Sequence, residues 1–119
     1  MKKVEYNLFS INSKERVDMI KGTDVLCLIA SQGNTGVMIS KDRIIMVSQS
    51  FKSCRVVLGE FVHCLGDGLA LNMHRIDYFD KLTDTIIFDN GSTTHLKPMQ
   101  KKNYYKCLDD MALQYELKH

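Results

Sequence analysis

No run of apolar residues in this chain approaches the length needed to cross a bilayer, and no secretory h-region follows Met1-Lys2-Lys3. The four cysteines, Cys27, Cys54, Cys64 and Cys107, show no C-x-x-C spacing. His63-Cys64 has no second pair at ligand spacing, so no metal centre is expected. Each cysteine lies in an apolar neighbourhood, which predicts buried free thiols and a cytoplasmic protein. No G-x-S-x-G, H-E-x-x-H, P-loop or G-x-G-x-x-G occurs, and none of the four histidines stands at readable spacing from a carboxylate. Neither an enzyme nor a cofactor is therefore expected. A net charge of +2 does not by itself imply a nucleic-acid partner. No repeat, linker or low-complexity tract divides the 119 residues, so residues 1–119 are read as one domain.

What is present has an all-β rhythm. Strands are expected over Val4–Ile11, Arg16–Ile20, Val25–Ala30, Val37–Ser40, Arg43–Val47, Asp84–Asp89 and Ser92–Leu96. The nearly continuous apolar run Val25–Ala30 suits a central strand covered on both faces. Turns are expected at Asn12-Ser13-Lys14, Lys41-Asp42 and Asp89-Asn90-Gly91, the last as an Asn-Gly hairpin turn. Ser31–Gly36 reads as a loop or bulged crossing, with Gln32–Gly36 either a solvated turn or a binding segment. In Phe61–Ile76, Gly66-Asp67-Gly68 reads as a tight turn, and Leu69, Leu71 and Met73 as a strand with one buried face. Asp77–Asp80 leads into Lys81-Leu82-Thr83.

Two helices interrupt the pattern. Phe51, Cys54, Val57 and Leu58 fall at helical spacing, with Ser50 as N-cap and Gly59 after the end. Phe51 and Cys54 are expected to anchor this short helix in the core. The second helix begins at Pro98, the only proline, and carries an apolar stripe of Tyr104, Cys107, Leu108, Met111 and Tyr115. Lys97, Lys101, Lys102 and Lys106 surround its start with no acidic residue among them. Lysines there oppose the helix dipole, so they are explained by a solvated face or by a bound anion such as phosphate.

The order of these pieces resembles the LytTR-type DNA-binding domain of bacterial response regulators. The likeness runs from about Asp24 to Leu108. Asp24–Thr35 resembles the family's strand ending in Gly-Asn, and Ser50–Leu58 its short helix. Leu71-Asn72 and Ile76 stand where the family has Val-Asn and Ile. Ile87–Gly91 resembles its hairpin, and His95–Leu108 its C-terminal segment. This resemblance implies an elongated, mainly β, multi-sheet domain with one internal and one C-terminal helix. It also implies sequence-specific binding of double-stranded promoter DNA and transcriptional regulation, with a homodimer on tandem sites as an accompanying expectation. Only about twenty residues precede the likeness, so no receiver domain is expected. The candidate DNA-binding residues are Asn34 and Thr35 for base or sugar, Lys97, Lys101 and Lys102 for phosphate, and His63, Asp67 and His74 for the central loop. Gly66-Asp67-Gly68 replaces the polar or basic segment usual in the family, and an aspartate is repelled by phosphates. The alternative is a protein-interaction module on the same scaffold.

Overall fold

The computed structural model describes residues 8–12 and 17–118. Every strand pairing in it is antiparallel, and the strands form three sheets. The first is the hairpin β1 (Leu8–Asn12) and β2 (Val17–Lys21). The start of the first expected strand and the Ser13-Lys14 turn lie outside the described residues. The central sheet contains β3 (Cys27–Ser31), β4 (Asn34–Ser40), β5 (Arg43–Val47), β6 (His63–Gly66) and β7 (Leu69–Leu71), in the order β5-β4-β3-β7-β6. The third sheet contains β8 (Ile76–Asp80), β9 (Thr85–Phe88) and β10 (Thr93–His95). Helices α1 (Phe51–Leu58) and α2 (Pro98–Lys118) complete the fold. No helix among the described residues is long and apolar enough to cross a membrane.

β3 is the central strand that its apolar run predicts. Its side chains alternate between two cores. Leu28 faces one, with Val37, Ala70, Cys54 and Leu58, and α1 covers that side. Cys27 faces the other, with Leu65, Leu71, Phe88 and Tyr104, where the third sheet and α2 pack. A fully buried side chain the size of Phe88 or Leu71 contributes about 1.5–3 kcal/mol through removal from water. Phe79 on β8 meets Tyr104 of α2 at 5.4 Å between ring centroids, which ties the third sheet to the helix.

Asn72 joins the central sheet to the segment that leads into β8. Its Nδ2 donates to the Val25 carbonyl at 2.9 Å, its backbone N–H to the Leu26 carbonyl at 2.9 Å, and its Oδ1 accepts from His74 N–H at 3.1 Å. A buried amide is tolerated here because its groups are paired. Arg75 then forks onto Asp89, with Nε 2.8 Å from Oδ2 and Nη2 2.8 Å from Oδ1. Its Nη1 also donates to the Thr23 carbonyl at 2.8 Å.

Several expectations are corrected. β4 begins at Asn34, so the supposed loop shrinks to the two-residue turn Gln32-Gly33, with φ of 46° and 87°. Leu69, Ala70, Leu71, Asn72 and Met73 are all buried, because β7 lies between β3 and β6 with a core on either side. Asp77–Asp80 belongs to a strand, β8, whose Asp77 and Tyr78 are exposed and obscure the alternation. The β9–β10 connection is a four-residue loop rather than an Asn-Gly turn. In it Asn90 Oδ1 accepts from Ser92 N–H at 3.0 Å, and Gly91 alone has positive φ. Cys27 and Cys54 are buried, but Cys107 is half-buried and Cys64 is exposed on the edge strand β6. The Ser50 cap accepts from Ser53 N–H at 3.0 Å and Gly59 has φ 55°, both as expected.

Candidate nucleic-acid interface

Antiparallel register gathers three connections at one end of the central sheet. Ser31 pairs Asn34 around the Gln32-Gly33 tip. Thr35 pairs Val47, so β5 ends there and leads through Ser48 into the start of α1. Ile29 pairs Leu69, which brings the Asp67-Gly68 tip beside the end of β3. The two tips touch: Ala30 N–H donates to the Gly68 carbonyl at 2.7 Å. A Cβ on Gly68 would stand 2.7 Å from the Ala30 Cβ, and its φ is 72°, so glycine is required on both counts. Gln32 and Asp67 each hold a left-handed conformation beside a glycine, with φ of 46° and 50°.

The start of α2 is fastened to the same end. Gln100 is buried. Its Oε1 accepts from Lys97 N–H at 2.8 Å, and its Nε2 donates to the Gly66 carbonyl at 3.1 Å. One turn on, Asn103 Nδ2 donates to the Leu65 carbonyl at 2.8 Å. The first contact is half of a capping box, since Gln100 stands three residues after Lys97. These bonds fix the lysine-bearing turn against β6 without using the lysine side chains.

The candidate residues divide accordingly. Asn34, Asp67, Lys97 and Lys102 are exposed at or beside the tips. Thr35 is also there but fully buried, and its hydroxyl donates to the Gln49 carbonyl at 2.9 Å. It shapes the tip from within and has no surface to offer a ligand. Lys101 is half-exposed, and its Nζ lies 3.2 Å from Asp84 Oδ1. A carboxylate seventeen residues away in sequence thus answers one lysine of a cluster that sequence reads as free of acids. His63 and His74 sit at the other end of the sheet: His63 opens β6, and His74 follows β7. The His63 Nδ1 is buried without a hydrogen-bond partner among the described residues. The two histidines do not join the tips.

Sequence reading leaves Gln32, exposed at the first tip, between a solvated turn and a binding role, and passes over Gln100, which positions the helix. The Lys97-x-x-Gln100 spacing is a signal for the second. For Gln32 no signal distinguished a displayed amide from an ordinary turn residue. Taken together, the end offers two narrow hairpin tips with amide side chains at Gln32 and Asn34, one carboxylate at Asp67, and lysines to one side. Amides at a protruding edge can form paired hydrogen bonds with base edges, and lysines can meet phosphates.

No family model matches the chain, and no curated protein matches it in sequence. In structure it is similar to the LytTr DNA-binding domain of a putative methyl-accepting/DNA response regulator from Bacillus cereus. The TM-score is 0.66 at 14% identity, covering 87% of this chain and 97% of that one. The fold is therefore LytTR-like: mainly β, antiparallel, with an internal and a C-terminal helix.

Proposed function

We propose that the chain, with its LytTR-like fold, is a cytoplasmic, non-enzymatic regulator that binds double-stranded promoter DNA in a sequence-specific way as one domain. The observation that carries this reading is the convergence of the two hairpin tips and the start of α2 at one end of the central sheet. In this reading Asn34 and Gln32 contact base edges, an amide pairing best with adenine N6 and N7. Lys97 and Lys102 contact phosphate and set register, while Lys101 contributes less because Asp84 competes for it.

Asp67 favours a second reading, a protein-interaction module on this scaffold, since its carboxylate protrudes where DNA would approach. Selection of bound fragments from genomic DNA with the purified chain, at two salt concentrations, separates the two. Regulation of promoters requires an enriched motif that survives the higher salt. Uniform retention lost with salt, or none, leaves the interaction module.

A further inference from the structure

Two exposed patches, one on each helix, have opposite charge and lie on opposite sides of the central sheet. On α1, Phe51, Cys54 and Leu58 face the core, which leaves Lys52, Arg55 and Val56 on the outer face. Val56 is 72% exposed and Val57 50%. A shallow cavity of about 180 Å³ opens there, lined by Lys52, Arg55, Val56, Gly59 and Val62. The Arg55 guanidinium lies 5.9 Å from the Phe51 ring centroid, beside that cavity. On α2, Tyr104, Cys107 and Met111 face the other core. The outer face carries Tyr105 and Leu108, 40% and 39% exposed, with Lys106 exposed between them, then Asp109 and Asp110. Among the described residues, none of Lys52, Arg55, Asp109 and Asp110 has an ion-pair partner.

We propose that the outer face of α1 is the docking site for the Tyr105–Asp110 face of α2 in a second copy of this chain. Charge complementarity selects this occupant: two cations stand beside a cavity and two exposed valines on one face, and on the other the two carboxylates outnumber Lys106 beside two apolar side chains. The cavity has room for one such side chain, Leu108 or Tyr105. Because the two faces back onto opposite sides of one sheet, a copy cannot return the contact to its partner through a two-fold axis. The contact is heterologous and head to tail, so it closes into a ring or runs on as an open filament according to the rotation between copies. Phosphate binding alone would explain Lys52 and Arg55 but has no use for the exposed valines. The cavity also runs toward Gly59 and Val62, away from the hairpin tips, so copies in contact keep their tips free. The contact does not require DNA, and its failure leaves the DNA-binding reading standing.

Charge reversal tests it without DNA. Sedimentation equilibrium of the wild-type chain at high concentration and low salt should show self-association that weakens as salt rises. K52E/R55E and D109K/D110K should each weaken it about tenfold or more, because each sets like charges face to face. An equimolar mixture of the two variants should associate again, since each then supplies the surface the other lacks. Circular dichroism checks that both variants stay folded. The proposal is overturned if the wild type is monomeric throughout, if either variant associates as the wild type does, or if the mixture stays monomeric. It also falls if K52E/R55E impairs DNA binding and leaves association untouched, which would assign the α1 face to DNA.

Discussion

The side-chain amide of Gln100 grips the backbone of Gly66 at 3.1 Å while its carbonyl holds Lys97 N–H at 2.8 Å. One side chain thereby fixes both the entry to α2 and the root of the second hairpin tip. Replacing Gln100 with Ala should cost about 1–3 kcal/mol, because two backbone groups lose their partner. Urea unfolding should show a lower midpoint with an unchanged slope. DNA affinity should fall as well, although Gln100 itself is buried and touches no DNA. A variant as stable as the wild type would remove Gln100 from this role.

The lysines should separate by their surroundings. Changing Lys97 and Lys102 together to Ala should reduce the slope of log affinity against log salt by about 2, close to 0.9 for each lost phosphate contact. Lys101→Ala should reduce it less than either alone, because its Nζ already sits 3.2 Å from Asp84. Equal effects from all three would show that Asp84 does not compete with DNA.

The Asp67-Gly68 tip offers two substitutions with opposite consequences. Asp67→Asn keeps a residue that tolerates φ near 50° and removes the charge. If the tip approaches phosphates, affinity should rise by up to about fivefold, the scale of one charge pair in water. Gly68→Ala should instead destabilise the chain by about 1–3 kcal/mol, through its φ of 72° and the Ala30 Cβ. Binding to a single-site duplex and thermal unfolding measure the two effects. Unchanged affinity in Asp67→Asn would place the tip away from DNA.

Acid should act on the Arg75–Asp89 fork. Hydrogen bonding from Arg75 holds the Asp89 carboxyl below its ordinary range. A lowered carboxylate pKa in the folded state stabilises at pH values above the ordinary range. That stability disappears as pH falls through the lowered value. Asp89→Asn should therefore lower the melting temperature at neutral pH, and the two melting curves should converge in acid. Curves that stay parallel to low pH would mean the fork contributes no pH-dependent stability.

Much of the fold is legible in the chain. The Lys41-Asp42 hairpin, the Ser50 cap, the start of α2 at Pro98 and the central position of Val25–Ala30 all follow from local chemistry. What escapes is set by distant neighbours. Ala70 is buried because α1 arrives on its side of β7, and nothing near Ala70 announces that helix. Val57 is exposed although helical spacing would place it with Cys54 and Leu58. The candidate site is legible in part. Asn34 and Asp67 converge because antiparallel register stacks their turns, and the lysines join them because Gln100 and Asn103 fasten α2 to β6. His63 and His74 stand only a few residues from Asp67, but strands β6 and β7 carry them to the far end. Thr35 looks like a displayed hydroxyl until its bond to Gln49 is seen.

β3 is a wall shared by two compartments, and each compartment holds one buried thiol. Cys54 is on the α1 side, and Cys27 is on the α2 side, where burial pushes its thiol up to about 12. A thiol reagent reaches either sulfur only when its own compartment opens. The two labelling rates are thus separate clocks. Equal rates would mean the two halves of the interior come apart as one event, and unequal rates would identify the side that opens first.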